Sequence, residues 1–363
     1  MQVEAADSGR APISNYIARN CDVFGHVNHS NPICLTFFAS LTLVLAAIFL
    51  VSLERAIMCG IAGILFKNGV RPKFAMTTGE ALIEMLIGLE HRGPDSAGYA
   101  IYQEALDKAF RLRFLVRQGT AQAEDVGKIR DTLSAEGAAI IAEETVGCTF
   151  GTVVSFEGSI AKLSFAIEHA ARVISFGRSL DIVKDVGSPR DLADRYQIAQ
   201  FNGSHAIGHT RLATESGVHP ETSHPFWATG FADVAVVHNG QLTNYWLMRR
   251  RLEQDGMEFH TENDTELIAV YLAHQMSRGH SLDEALHTAL SDLDGTFSCL
   301  VATRDSIGYA KDKLAAKPMV KYEDDVLVAI ASEEAALNRL FPGQTLKTME
   351  PPPMTCGFWS RRQ

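Results

Sequence analysis

The sequence predicts a mixed fold of alternating strands and helices, and three observations support this prediction. Continuous apolar runs at 59–66 and 234–238 are typical of buried strands. Apolar residues recur at helical spacing over 78–89, as expected for a helix packed on one face. Turns rich in glycine and proline, such as 91–98, separate these elements. Because no internal repeat or low-complexity tract interrupts this pattern, we expect one domain over 59–345.

The individual elements follow from the same patterns. In the first half of the chain we predict a strand at 59–66, a helix at 78–89 and a strand at 98–103. In the second half we predict regular structure at 206–214, a buried strand at 234–240, helices at 243–254 and 263–276, a further regular segment at 281–290, and strands at 296–303 and 325–331. Residues 105–200 mix helical and strand-like pieces and carry no motif with recognisable chemistry, so they are either an insertion or a partner-binding element. Residues 346–363 are predicted to be a C-terminal tail.

Composition excludes several classes of protein. The chain has 363 residues and is 46% hydrophobic, enough to bury a substantial core. Its formal net charge is −10 and it contains no long run of lysine and arginine, which argues against a nucleic-acid partner. Six scattered cysteines in a chain of this size do not indicate a disulfide framework. We therefore expect a reducing, cytoplasmic setting.

The first 58 residues form an N-terminal extension of different character. No charged residue occurs from Ile33 to Leu53, a segment about as long as a membrane-spanning helix requires. Polar residues 1–32 precede it, and no compact basic region adjoins it as in a signal peptide. The extension is therefore either a membrane anchor through 33–53 or absent from the mature protein.

Cys59 is the first candidate for chemistry because it directly follows Met58. Removal of an initiating methionine from this position would leave a cysteine with a free α-amino group. An α-amine has a pKa of about 7.7–8.0, so near neutral pH it can accept the proton of the thiol on the same residue. A packed structural cysteine in an apolar strand is the alternative.

Four further residues have types suited to binding an amino acid and stabilising an oxyanion. Arg211 offers a planar guanidinium for a carboxylate, with a surface salt bridge as the alternative. Asp264 is suited to an ammonium group, with a helix N-cap as the alternative. Asn239 and Gly240 follow an apolar strand, where an amide and a backbone N–H can form a two-donor oxyanion hole, or simply an Asn-Gly turn. Arg92, in the Gly-Pro loop, either orients the Cys59 terminus or stabilises a turn.

These residues lie in a series of motifs spread over 59–340. The motifs are CGIAGI (59–64), HRGPDSAG (91–98), GHTRLAT (208–214), HPF (224–226), HNGQLTN (238–244), NDTEL (263–267), RD (304–305), KP (317–318) and SE (332–333). In this order they resemble the class II glutamine amidotransferases, which are N-terminal-nucleophile (Ntn) hydrolases. The chain is most similar to a stand-alone subunit related to the amidotransferase domain of glutamate synthase and to the amidotransferase subunit of N-methylglutamate synthase.

The resemblance implies a fold, a reaction and a set of site residues. The fold is α+β, a four-layer αββα sandwich of two antiparallel sheets between helices. The reaction is hydrolysis of L-glutamine to glutamate and ammonia through a cysteine thioester, which needs no metal and no other cofactor. The implied roles are nucleophile and base for Cys59, oxyanion hole for Asn239 and Gly240, glutamine clamp for Arg211 and Asp264, and pocket lining or support for Thr214 and Asn244.

The same resemblance implies a partner and leaves alternatives open. Ammonia is expected to pass to a synthase subunit, with a flavin and iron–sulfur protein as the candidate. Leu212 replaces an aromatic residue found in some members, which affects the expected behaviour of a substrate-closing loop. For residues 1–58 the alternatives are a wrongly assigned start with Met58 as the initiator, a cleaved propeptide, or an anchored or inactive variant. A catalytically silent glutamine-sensing subunit remains the functional alternative.

Overall fold

The computed structural model describes residues 59–67, 76–212 and 218–361. These residues belong to one compact unit. Within them, the strands are β1 (Gly60–Phe66), β2 (Ser96–Tyr102), β3 (Ala109–Leu115), β4 (Ala139–Val146), β5 (Thr149–Ser155), β6 (Val173–Gly177), β7 (Leu180–Val186), β8 (His205–Arg211), β9 (Phe226–Trp227), β10 (Ala235–Leu242), β11 (Gly295–Thr303), β12 (Ser306–Lys311), β13 (Val320–Glu323), β14 (Leu327–Ala331) and β15 (Thr355–Ser360). The α-helices are α1 (Thr78–Ile87), α2 (Ala121–Ala135), α3 (Ile160–Glu168), α4 (Pro189–Arg195), α5 (Tyr245–Gln254), α6 (Asp264–Ser277), α7 (Leu282–Asp292) and α8 (Glu334–Leu340).

The strands of the described residues form three sheets. The first has the order β13-β14-β1-β8-β2-β7, the second β15-β12-β11-β10-β9 and the third β4-β5-β3-β6. Neighbouring strands in all three run antiparallel, for example β1 with β8 and β10 with β11. The predicted strand at 59–66 is confirmed as β1, and the predicted helices at 243–254 and 263–276 are confirmed as α5 and α6.

The first two sheets pack face to face and carry helices on their outer faces. Ile61 of β1 points into a core shared with Val237 of β10 and Leu300 of β11. Its neighbour Ala62 faces the opposite way, against α1, α4 and α8, because side chains alternate along a strand. Val236 of β10 likewise packs on the side of α5, α6 and α7. The predicted four-layer αββα sandwich is therefore confirmed.

The third sheet is built from the segment that the sequence left unassigned. It takes its strands from 109–177, and its phenylalanines join the same core cluster as the inner faces of the two large sheets. Phe176 of β6 stacks on Trp227 of β9, with ring centroids 5.9 Å apart. The third sheet thus packs against the sandwich through an apolar contact, whereas β7, from the same unassigned segment, is an edge strand of the first sheet.

Helix α1 begins at a capping box. The Thr77 hydroxyl accepts from the backbone N–H of Glu80 at 3.0 Å, and the Thr77 N–H donates to the Glu80 carboxylate at 2.6 Å. These bonds satisfy two backbone donors that a helix start otherwise leaves unpaired. The helix is followed by a short 3-10 turn (Glu90–Arg92), and Arg92 is the last residue of this turn.

The end of the chain differs from the predicted tail. Residues 355–360 form β15, which pairs with β12 at the edge of the second sheet. Trp359 is buried there and stacks on Tyr309, with ring centroids 5.9 Å apart. The predicted domain ends near residue 345, before the Pro-Pro-Pro at 351–353. Instead, the second sheet continues beyond these prolines, because β15 pairs with β12 and the Trp359 indole is buried there.

The apolar segment 33–53 lies outside the described residues. Among the helices of 59–67, 76–212 and 218–361, none has the length and apolar character needed to cross a membrane.

Candidate active site

Cys59 lies at the start of β1, beside a large cavity. The strand is flanked by β8 and β14, so its first residues are held from both sides. The neighbouring position requires glycine, because a Cβ on Gly60 would lie 2.8 Å from the Thr210 hydroxyl oxygen and 2.9 Å from the Leu89 Cβ. The cavity has a volume of about 720 Å³. It is lined by six of the eight predicted site residues, namely Cys59, Arg92, Arg211, Asn239, Gly240 and Asp264.

The environment of the Cys59 thiol keeps it protonated. Burial raises the pKa of this thiol above its usual range, and the nearby Leu212 carbonyl contact and the Arg211 and Arg92 charges offset this effect only in part. The Sγ atom lies 3.8 Å from the Leu212 carbonyl oxygen, an acceptor that cannot remove a proton from a thiol. Ionisation near neutral pH therefore requires a base close to Sγ.

Arg92 holds the backbone of Cys59. Its side chain is 3% exposed, and Nε donates to the Cys59 carbonyl oxygen at 3.1 Å. The same guanidinium forms an ion pair with Glu333, which His91 also contacts at 3.0 Å. Arg92 therefore contacts the Cys59 backbone directly, and its role in orienting the Cys59 terminus stays a prediction. In the sequence, Glu333 is recognisable only as part of the Ser-Glu motif, which by itself predicts no role for this residue.

Asn239 faces Cys59 from β10 of the opposite sheet. Its Nδ2 donates to the Cys59 carbonyl oxygen at 2.8 Å and to the Ser332 hydroxyl oxygen at 3.2 Å. Ser332 Oγ also accepts from the Ile61 N–H at 3.0 Å, so this serine links β1 to Asn239. Both amide hydrogens of Asn239 are therefore engaged, and its role in an oxyanion hole stays a prediction.

Gly240 must be glycine at this point of β10. Its φ is +141°, and a Cβ here would lie 1.9 Å from the Thr296 carbonyl oxygen. Such a contact is impossible without moving β10 away from β11. Gly240 lines the cavity directly after Asn239, and its role as the second oxyanion donor stays a prediction.

Arg211 and Asp264 place opposite charges in the same cavity. Arg211 ends β8 and donates to the Thr222 hydroxyl oxygen at 3.1 Å. Asp264 is the first residue of α6, whereas the N-cap is Asn263, whose side chain accepts from the Thr265 N–H at 2.9 Å. The alternative that Asp264 is an N-cap is therefore wrong.

Asp264 remains ionised despite its burial. Burial acts to raise the pKa of this carboxyl, but nearby His238 and the hydrogen bonds that the carboxylate accepts outweigh it and hold the pKa below its usual range. One of these bonds comes from the Leu242 N–H at 3.1 Å. The cavity therefore offers a fixed anion for a cationic group.

The other two predicted site residues are not part of the described cavity wall. Thr214 lies outside the described residues. Asn244 does not line the cavity; its amide donates to the Asp292 carbonyl oxygen at 2.8 Å and accepts from the Asp294 N–H at 3.0 Å. It precedes Tyr245, which does line the cavity, so it remains a candidate for the supporting role rather than for the lining role.

The chain is similar to known glutamine amidotransferases. A family model described as a glutamine amidotransferase domain matches residues 209–339. A protein of Rhizobium meliloti named glutamine amidotransferase-like protein GlxB is 37% identical over 306 residues, which cover 84% of this chain and 99% of that protein. The amidophosphoribosyltransferase of Methanocaldococcus jannaschii is 31% identical over 193 residues, covering 52% of this chain and 41% of that enzyme.

A solved structure shares the fold. The glutamine phosphoribosylpyrophosphate amidotransferase from B. subtilis, complexed with ADP and GMP, aligns with a TM-score of 0.51 over 84% of this chain and 49% of that chain. Its sequence identity is 19%, so the likeness concerns the fold alone. The present chain corresponds to about half of that enzyme's length.

Proposed function

Because the chain belongs to the class II glutamine amidotransferases, we propose that it hydrolyses L-glutamine to glutamate and ammonia through a thioester on Cys59. The observation that carries this proposal is a single cavity that brings together the Cys59 thiol, the Arg211 cation and the Asp264 anion. A free amino acid has a carboxylate and an ammonium group on one carbon, so two opposite charges in one cavity match both.

In this proposal Arg211 binds the α-carboxylate of glutamine and Asp264 binds the α-ammonium. A guanidinium can bind a carboxylate through two parallel hydrogen bonds, which fixes the orientation of the ligand as well as its position. With the α-carbon held in this way, the side-chain amide extends toward Cys59. The two clamp residues thereby exclude amides that lack either charged group.

The chemistry then needs one nucleophile, one base and an oxyanion hole. The Cys59 sulfur attacks the side-chain carbonyl carbon of glutamine, a C–S bond forms, and the oxygen becomes negative. The α-amine of Cys59 takes the thiol proton and delivers it to the departing nitrogen, so ammonia leaves as the C–N bond breaks. Water then attacks the thioester, releasing glutamate and restoring the thiol.

Asn239 and Gly240 are proposed to stabilise the oxyanion. In the described structure Asn239 Nδ2 donates to Cys59 O and Ser332 Oγ, so one of these bonds must be exchanged for the oxyanion during attack. Preorganised donors of this kind contribute roughly 10²–10³-fold to the rate of acyl transfer. This half-reaction uses no metal and no other cofactor.

We further propose that ammonia passes to a synthase subunit of the glutamate synthase or N-methylglutamate synthase type. Support comes from the start of α5, where Trp246, which lines the cavity, is 62% exposed and the next residue, Leu247, is 52% exposed. Exposed apolar side chains of this kind are a typical contact surface for a partner protein. Any flavin or iron–sulfur cluster belongs to that subunit in this proposal.

The glutaminase proposal is tested with protein that begins at Cys59. Glutamate release from glutamine is measured, and a thiol-directed glutamine analogue is used to label the protein, with the labelled residue identified by mass spectrometry. We expect labelling at Cys59, and loss of labelling and activity in Cys59→Ser. Glutamine binding without glutamate release would instead indicate a sensing subunit. Hydrolysis that persists at full efficiency in Arg211→Ala would indicate a different amide substrate.

The partner proposal is tested by adding a synthase subunit of the proposed type and measuring glutamine-dependent amination. Leu247→Asp is expected to abolish this coupled reaction while the rate of glutamine hydrolysis alone is maintained. Equal coupling in the wild-type protein and the variant would contradict the assignment of the start of α5 as the contact surface.

A further inference from the structure

A buried chain of close polar contacts connects Asn239 to Asp264 across the base of the cavity. Asn239 Oδ1 lies 3.2 Å from His209 Nε2, which lies 2.9 Å from His224 Nδ1. The other ring nitrogen of His224 lies 2.7 Å from the Thr265 hydroxyl oxygen, which lies 3.1 Å from His238 Nδ1. The same His238 nitrogen lies 3.4 Å from Asp264 Oδ1.

His209 and His224, the first two histidines in this series of contacts, are neutral. His209 is 0% exposed, and His224 is also buried. Burial lowers the pKa of His209 to about 3 and lowers the pKa of His224 well below its usual range. A neutral imidazole has one donor and one acceptor nitrogen, so each of these two rings has a definite tautomer.

The orientation of the Asn239 amide reveals the tautomers of both rings. Its Nδ2 faces the Cys59 carbonyl oxygen, and the opposite amide orientation would set two acceptor oxygens 2.8 Å apart. Oδ1 therefore faces His209 and accepts, so His209 carries its proton on Nε2. His224 Nδ1 then accepts from that same N–H, while His224 Nε2 donates to the Thr265 hydroxyl oxygen.

The second ring nitrogen of His209, Nδ1, does not change this assignment of donors and acceptors. His209 Nδ1 is buried and has no hydrogen-bond partner among the described residues. The contacts of Nε2 with Asn239 and His224 therefore decide the tautomer of this ring.

We propose that His209 is a positioning residue that keeps the NH2 group of Asn239 directed at the oxygen of the reacting carbonyl, and that the hydroxyl of Thr265, acting through His224, holds His209 in the required tautomer. This inference rests on the proposed glutaminase function. The orientation of the Asn239 amide matters during attack, when Asn239 exchanges its bond to Cys59 O or Ser332 Oγ for one to the oxyanion. An amide that rotated at that moment would present its oxygen to another negative oxygen and oppose the reaction.

The first experiment removes the Thr265 hydroxyl from this series of polar contacts with Thr265→Val and restores a hydroxyl with Thr265→Ser. Both variants keep the backbone N–H that Asn263 caps, and valine matches threonine in shape. We expect Thr265→Val to lower kcat roughly tenfold or more with KM within about twofold, because the affected interaction forms only in the transition state. Thr265→Ser is expected to recover most of the rate. Thr229→Val, which removes another buried hydroxyl next to α6, is the matched control.

A second readout separates positioning from general damage. Alkylation of Cys59 by iodoacetamide forms no oxyanion, so its rate is expected to be the same in Thr265→Val and in the wild-type protein. Equal loss of alkylation and of glutamine hydrolysis would overturn the proposal, as would a tenfold rise in KM at unchanged kcat.

A third measurement does not depend on activity. Long-range ¹H–¹⁵N NMR spectra of histidine-labelled wild-type protein report which ring nitrogen carries the proton. We expect His209 and His224 to be protonated on Nε2, and protonation of His209 on Nδ1 would overturn the inference. Because this result stands whether or not glutamine is hydrolysed, failure of the inference is distinguishable from failure of the proposed function.

Discussion

Blocking the α-amine of Cys59 is expected to abolish glutamine hydrolysis without unfolding the protein. A single preparation carries a removable N-terminal tag whose cleavage leaves Cys59 as the first residue, so the two forms differ only in the state of this amine. In the blocked form, the Sγ contact with the Leu212 carbonyl oxygen provides no base.

The magnitude follows from the state of the thiol. A cysteine with a pKa of about 8.5 is roughly one tenth ionised at pH 7.5. Burial raises the pKa of Cys59 above that range, so less thiolate is present. The blocked form also lacks a group that can protonate the departing ammonia. Because general acid–base catalysis contributes about 10²–10⁴-fold, we expect cleavage of the tag to increase the rate at least about 100-fold.

The assay measures glutamate release before and after cleavage, and the intact mass verifies each form. Thermal unfolding of both forms serves as the control for folding, and cleaved Cys59→Ser gives the background rate. The rate of the cleaved form is expected to rise with pH around the pKa of an α-amine, about 7.7–8.0, because the neutral amine is the active form. The reasoning is refuted if the blocked form, verified by mass, hydrolyses glutamine within about tenfold of the cleaved form.

Three further predictions follow from the site and its surroundings. Arg211→Ala is expected to raise the KM for glutamine about 10- to 150-fold in steady-state kinetics, because a hydrogen bond to a charged group contributes about 1.5–3 kcal/mol; an unchanged KM would exclude Arg211 as the carboxylate clamp. Gly240→Ala is expected to lower the unfolding temperature measured by circular dichroism, since its Cβ would lie 1.9 Å from the Thr296 carbonyl oxygen; an unchanged melting curve would contradict this geometry. Burial raises the pKa of Glu168 to about 8. The folded state therefore binds a proton there that the unfolded chain releases near a pH of about 4.3, so stability is lost as the pH rises between these values. Urea unfolding is expected to show the wild-type protein losing stability relative to Glu168→Gln over that range, and parallel pH profiles would contradict it.

The sequence by itself determined the local elements and the principal chemical groups. Apolar runs and helical spacing identified β1, α5 and α6 to within about two residues, because these patterns depend on neighbours two to four positions apart. The motifs around Cys59 and Arg211 identified the family, because each motif is a short continuous segment whose residue types are visible without a structure.

Only the tertiary structure decided how these groups are held. Ser332 contacts the Ile61 N–H across 271 positions of sequence, and Asn239 contacts the Cys59 carbonyl across 180. No local pattern predicts such pairs. The Ser332–Ile61 contact arises when β14 pairs with β1 in the first sheet, and the Asn239–Cys59 contact arises when the second sheet packs face to face on the first. The same packing buries the His209–His224 pair, which in the sequence is merely two histidines in separate motifs. The physical reason is that periodicity reflects contacts within one element, whereas the geometry of the site depends on contacts between elements distant in the chain.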